Sequence, residues 1–497
     1  MTGPLPVPAR PAGPRPARRP GLVALVLLAL VAGGCSVRLS SDPYTGGPGQ
    51  HATQVEPDSF SSGSTIVSAF QTARIFDGGA MNIGWARSGD AGATWSHGFL
   101  PGITTVEGGI FSRVSDPAVA YDARHGTWLI SSLGLFDTSG GGVLGSGMLV
   151  SRSTNGGTTW GNPVRVATAG FGNAGSNLDK NWIACDNTPT SPFYGRCYVE
   201  WDDNGDGNRL KMSTSADGGV TWGPARNTAD NATGLGGQPV VQPDGTVIVP
   251  SANANATSLI SFTSTNGGAS WNSSVTVSSI AEHGVAGGLR TLPLPSAEVD
   301  GAGRVYVAWQ DCRFRAGCTS NDIVMSTSDD GLTWTSPQRI PIDAVTSTVD
   351  HFIPGLGVDV LTSSTSAHLA LTYYFYPETS CTAVTCRLFV GAVTSVDGGQ
   401  TWSARRQLEG PMELGWLADT SQGRMVGDYI STSFANGTAH PVYARAQAPS
   451  GGLFNEWVAT SNVGLGATAD VGAAAVGPDV AVSGSDHDRS TTPAARR

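Results

Sequence analysis

Charge is scarce in this chain. Asp, Glu, Lys and Arg make up 14% of its 497 residues, against ~25% in an average globular protein. Lysine occurs only as Lys180 and Lys211. With 39 acidic against 29 basic residues and no basic run beyond the N-terminus, a nucleic-acid partner is excluded. Long apolar runs are missing too, since the stretch 22–32 is shorter than the ~20 residues that span a bilayer. G-x-S-x-G, H-E-x-x-H and Walker-type loops are absent, which removes the common serine-hydrolase, zinc-protease and nucleotide-binding readings.

What the chain has instead is glycine, 67 residues of it, and a phrase repeated six times. Ser/Thr-x-Asp/Asn-x-Gly-x-Thr/Ser-Trp ends at Trp95, Trp160, Trp222, Trp271, Trp334 and Trp402. The Asp or Asn caps backbone N–H groups of a tight turn, and the Gly supplies its left-handed position. The Trp is a large apolar plug for packing between sheets. A recurrence with variable spacing marks one supersecondary unit used repeatedly. Ahead of each box lie two short apolar strands, with openings near Glu56, Asp116, Asp179, Gln238, Arg290, Asp350 and Asp428, and a third strand runs into the box. Four strands per unit and seven openings predict an all-β fold, a β-propeller of four-stranded antiparallel blades. Seven blades fit best and six remain the alternative. The last blade, which lacks a box, is expected to close either with residues 470–483 or with a strand supplied by residues near the tether.

These phrases resemble Asp-boxes, or BNR repeats, and the whole resembles the sialidase-like β-propellers. In that superfamily the boxes lie on the outer edge, away from the axial site, so none of them is a functional candidate. The resemblance implies three arginines that grip a sugar carboxylate, a Tyr nucleophile activated by a Glu, and an acidic acid/base. Arg74-Ile75-Phe76 resembles the family's Arg-Ile-Pro. Arg290 with Arg313 or Arg445 completes an arginine set, Tyr429 is the candidate nucleophile and Glu200 its partner. Arg74 stands only 21 residues before Trp95, which leaves little room for an acid/base loop.

Independently of any family, residues opening the first strands of a propeller meet in a ring around its axis. At that register stand Glu56, Asp116, Asp179, Lys180, Arg290, Asp350, His351, Asp428 and Tyr429, with Asp311, Arg313 and Arg445 at nearby strand ends. A ring of mixed charge about a concave mouth is the default ligand site. A glycan, a glycoconjugate or an envelope protein is the expected partner, at a site needing no cofactor. Asp202, Asn204 and Asp206 have a spacing able to wrap Ca²⁺, although Ser213 at the twelfth position excludes an EF-hand.

Residues 1–34 read as a lipoprotein signal peptide, with Arg10, Arg15, Arg18 and Arg19 ahead of the apolar stretch and Ala32-Gly33-Gly34-Cys35 resembling a lipobox. Lipidation of Cys35 makes the anchor the only membrane contact of an exported bacterial protein. Residues 35–54 are expected to be a flexible tether, 55–483 the propeller and 484–497 a disordered tail. The other six cysteines fall as local couples, predicting disulfides Cys185–Cys197, Cys312–Cys318 and Cys381–Cys386.

Overall fold

The computed structural model describes Met1, Gly3 and residues 36–139, 142–169, 176–466 and 474–475. Cys35, most of the signal segment and residues 484–497 lie outside the described residues. The fold is all-β. Among the described residues the main antiparallel strands are grouped, in chain order, into seven modules, of which the first two form one eight-stranded sheet joined at Ala80 and Val114. The first comprises Gln54–Ser62, Thr65–Arg74, Ala80–Ser88 and Ser96–Phe99, and the second Arg113–Asp122, Thr127–Asp137, Val143–Ser153 and Val164–Thr168. Leu178–Cys185, Cys197–Asp203 and Arg209–Ser215 form the third. In the fourth, a broken inner strand, Gly234–Leu235 and Val240–Val241, pairs with Val247–Asn253, followed by Ser258–Ser264 and Val275–Ser279. The fifth runs from Ser296–Val299 to Gln338–Arg339, and the sixth from Asp350–Val358 to Arg406–Glu413. In the seventh, Ser431–Ala435, Thr438–Ala446 and Glu456–Ser461 are completed by Ser36–Arg38, antiparallel to Glu456–Ser461.

That last pairing corrects one expectation and decides another. The segment read as a tether is ordered: Ser36 pairs with Ser461, the Leu39 amide donates to the Val458 carbonyl at 2.8 Å, and Leu39 is fully buried. The strand completing the seventh module therefore comes from the N-terminal side. Ala474–Ala475 pairs with Thr401–Trp402 instead. The inner strands touch in chain order, module to module, and that of the seventh touches that of the first.

The boxes carry the hydrogen bonds their sequence implies. In the last, the Gly399 amide donates to Ser395 Oγ at 2.9 Å, Ser395 Oγ donates to Asp397 at 2.8 Å, and the Thr401 amide donates to the same carboxylate at 2.8 Å. Each closure satisfies polar groups that the sharp turn would otherwise leave orphaned. Box glycines also sit against the preceding module, where a side chain would clash. A Cβ on Gly157 would lie 2.9 Å from Val67, and one on Gly92, in the first box, 2.5 Å from His440 of the seventh module. Trp160, Trp271 and Trp402 are buried, while Trp95, Trp222 and Trp334 are half-buried. All three expected disulfides are present, which fits an oxidising compartment. No helix among the described residues is long and apolar enough to cross a membrane.

Candidate functional site

The site begins with a repeated backbone irregularity. The inner strands of modules one, two, three and six carry bulges between Val55 and Asp58, Ser115 and Ala118, Asp179 and Asn181, and Phe352 and Gly355. Inside them Glu56, Asp116, Lys180 and Ile353 adopt positive φ angles of 57°, 49°, 33° and 49°. Such conformations cost a non-glycine residue about 1–3 kcal/mol and persist only where the surroundings over-determine them. Three of the four are followed by Pro57, Pro117 and Pro354. In modules one to three the bulge delivers a charged side chain.

Those three side chains meet. Lys180 Nζ lies 3.1 Å from Asp116 and 3.4 Å from Glu56, and it also donates to Asp428, at the entry to module seven. Arg290, entering module five, grips Asp428 with both Nε, at 2.7 Å, and a terminal nitrogen. Gln71 donates to Glu56 and, at 3.2 Å, to Ser115, tying module one to module two. Burial alone would lower the Lys180 ammonium, but Asp116, Asp428 and Glu56 together hold it well above its ordinary value. Burial opposes ionisation of Asp428, yet Arg290 and Lys180 keep its carboxyl far below the usual range. Burial lifts Glu56 to about 7 in spite of Lys180. Lys180 is thus the shared counter-ion of carboxylates from modules one, two and seven.

Beside this cluster opens a small pocket lined by Lys180, Asn181, Trp182, Gly236, Gln238, Leu294 and Tyr429. Trp182 meets the Tyr429 ring edge-on with centroids 4.9 Å apart, and Lys180 Nζ sits 5.9 Å from the Tyr429 ring centre. The Tyr429 hydroxyl donates to the Pro117 carbonyl at 2.9 Å. Burial, with Glu56 and Asp116 adding to it, raises its pKa well above 10, which opposes formation of a phenolate. Two aromatic residues, two amide residues and a lysine therefore line one small concavity.

The arginine set drawn from the resemblance does not assemble. Arg290 is held by Asp428. Arg74 is near enough to feel Arg290, and burial followed by that repulsion lowers it to about 10, but it donates to the Gly79 carbonyl and the Met425 sulfur. Arg313 is forked on Asp311, and Arg445 is paired with Glu409 at 2.8 Å beside Trp457. Glu200 makes no hydrogen bond to Tyr429 or to any other described group. Asp350 accepts from the Asn321 amide at 2.7 Å, outside the Lys180 cluster. The bulge position in module six is Ile353, three residues beyond Asp350, so the charge expected there is displaced from the convergence point.

His351 lies 3.8 Å from Asp343, in a network where Arg315 and Arg339 pair with Asp322 and Asp343. Asp322, Asp343 and His351 are the candidate three-ligand metal group among the described residues. The two guanidinium groups already supply its positive charge. The expected calcium ligands fit poorly as a set. Asp206 is exposed and paired with Lys211 at 2.7 Å, Asn204 donates its amide to Asp179 at 2.9 Å, and Asp202 is buried in its strand.

Gln71, Asp58 and Glu298 were not anticipated, and Gln238 was read as a strand opening but not as a site residue. Asp58 is buried, accepts from the Val119 amide at 2.7 Å, and is lifted by burial to about 7. Glu298 is raised well above the carboxylate range by burial and then by Asp58. The readable signal was the Glu-Pro, Asp-Pro and Ile-Pro dipeptides at equivalent places in modules one, two and six.

Residues 145–352, less than half of the chain, match the family model described as a BNR repeat-like domain, which bears out the resemblance to BNR repeats over that stretch. No curated protein matches the chain in sequence. Among solved structures, an ulvan lyase, a polysaccharide lyase, aligns with TM-score 0.50 at 10% identity over 87% of this chain and 97% of its own. A Hadza microbial sialidase aligns with TM-score 0.43 at 15% identity over 79% of this chain. This chain spans 64% of that sialidase's length. A Dyadobacter fermentans protein of unknown function aligns with TM-score 0.46 at 16% identity, over 74% of this chain and all of its own. Likeness at such identities concerns the fold alone.

Proposed function

We propose that residues 55–465, closed by the strand Ser36–Arg38, form a seven-bladed β-propeller whose axial mouth binds a carbohydrate. The seven modules, and inner strands that touch in order back to the first, support this architecture. One observation carries the functional reading. Charged residues from modules one, two, three and seven, three of them held at strained backbone positions, converge on Lys180 beside the pocket of Trp182, Gln238 and Tyr429. Apolar ring faces with a few fixed polar groups suit the alternating CH and OH surface of a sugar. A polysaccharide is also the ligand class named for the ulvan lyase. The protein is proposed to be exported and held by a lipid on Cys35, which joins the fold one peptide bond before Ser36. No cofactor is needed for this binding.

A glycan array probed with the mature protein tests the reading. Binding to a defined glycan, weakened at least tenfold by Trp182→Ala, supports it; no binding, or binding indifferent to Trp182 and Gln238, overturns it.

A second reading, exo-sialidase chemistry on an anionic sugar, keeps one support: Arg290 is held on Asp428, the residue before Tyr429, and Arg74 is near enough to feel Arg290. It requires Arg290 to leave Asp428 and the Tyr429 hydroxyl to leave Pro117. Hydrolysis of a fluorogenic sialoside that Tyr429→Phe abolishes would establish it. If neither glycan binding nor hydrolysis is found, an envelope scaffold contacting a protein partner through its loops is what remains.

A further inference from the structure

Glu200 is the most anomalous polar group in the molecule. It is fully buried on the central strand of module three, and neither carboxylate oxygen has a partner. Two residues on, and so on the same face of the strand, Asp202 is also fully buried. Its Oδ1 is unpartnered and its Oδ2 has only the Asn208 amide, at 3.5 Å. Tyr198, on that face as well, packs edge-on to Trp271 of module four, so the face looks into the seam between modules three and four.

Across the seam the inner strand of module four is interrupted between Leu235 and Val240. Backbone approaches the orphan carboxylate there, since a Cβ on Gly237 would lie 2.7 Å from Glu200 Cδ. Among the described residues no Lys, Arg or His forms an ion pair with either carboxylate. Lys180, the nearest, already holds Glu56, Asp116 and Asp428.

Burying an ionised carboxylate without a partner costs several kcal/mol, and buried charges in proteins are accordingly paired or bound to metal. We infer that Glu200 and Asp202 bind a hard divalent cation, Ca²⁺, in the seam between modules three and four. The donors are carboxylate oxygens, with no sulfur or imidazole among them, a set suited to calcium rather than to zinc or copper. This site differs from the one suggested by the Asp202-Asn204-Asp206 spacing. It shares Asp202 but uses the buried Glu200, whereas Asp206 is engaged by Lys211 and Arg209.

Calcium added to the EDTA-treated, dialysed mature protein should bind in calorimetry and raise the melting temperature. Tb³⁺ should luminesce on tryptophan excitation, because Trp182 is the cross-strand partner of Glu200 and Trp201 adjoins it. Glu200→Gln and Asp202→Asn should each weaken binding at least tenfold, while Asp206→Asn leaves it unchanged. Failure of the wild type to bind Ca²⁺ or Tb³⁺ overturns the inference, and a melting temperature raised by Glu200→Gln without any calcium response assigns a protonated acid instead. Loss of binding in Asp206→Asn alone moves the ion to the surface loop and also overturns it. Should Glu200→Gln not fold, Asp202→Asn and the terbium signal decide.

Discussion

Replacing Lys180 by Met removes the one cation shared by Glu56, Asp116 and Asp428 while roughly keeping side-chain volume. All four side chains are buried, so water cannot take over its role. Breaking a buried ion pair by deleting one partner costs about 3–5 kcal/mol. Unfolding entropy near 2.1 cal/mol/K per residue, over roughly 430 ordered residues, gives about 0.9 kcal/mol/K, so the melting temperature should fall by about 3–6 °C. Lys211→Met is the internal control. Lys211 pairs with the exposed Asp206, and exposed pairs contribute about 0–1 kcal/mol. The pH dependence follows from the directions of the shifts. The raised Lys180 contributes stability below its unfolded pKa, ~10.4, which is lost as pH climbs through the folded value. The depressed Asp428 contributes stability above its unfolded pKa, ~3.9, lost as pH falls through the folded value. The Lys180→Met deficit should therefore be greatest between about pH 5 and 9 and shrink toward either extreme. Calorimetric melts of both variants from about pH 2 to about pH 12, beyond both unfolded pKa values, measure it. A deficit independent of pH, or no larger than that of Lys211→Met, would refute the shared counter-ion.

Glu298→Gln should act in the opposite sense. Because the folded carboxyl is raised by burial and by Asp58, its ionised form destabilises the fold at high pH, so the variant should melt higher at pH 8 and like wild type near pH 4. Thermal melts at the two pH values check this. Ser395→Ala removes a hydroxyl that accepts from the Gly399 amide and donates to Asp397. About 1–2 kcal/mol should be lost in urea unfolding, with glycan binding unchanged. Leu39→Ala, at the strand that completes module seven, should cost about 2–4 kcal/mol, and hydrogen exchange should rise first at Val458 and its neighbours. Uniform exchange would separate that strand from the integrity of the ring.

Much of the fold was readable because its determinants are local. A box is a capped turn within eight residues, and the disulfides close between cysteines 12, 6 and 5 positions apart. Convergence of Glu56, Asp116, Lys180, Arg290 and Asp428 was also legible, since counting back from a box Trp finds the inner strand in the modules that have one, and the recurring opening pattern marks Asp428 in the module that has none. The same ruler failed in module six, where a three-residue offset puts Ile353 at the bulge and sends Asp350 to Asn321. It left open whether residues 470–483 or a strand near the tether completes module seven, because the pairing that decides it joins Ser36–Arg38 to Glu456–Ser461, more than 400 positions apart.

The sequence by itself determined an all-β chain of repeated units and the turns that join them, because short-range hydrogen bonding and hydrophobic alternation need no distant partner. Only the tertiary structure decided which charges are partners. Lys180 meets Asp428 across 248 positions and Glu56 across 124, and Arg290 is held by Asp428 rather than left open to an anionic ligand. Once ring packing removes these groups from water, each must be neutralised by whatever lies within a few ångströms. Glu200, with nothing in reach, shows where that requirement is unmet by the chain alone.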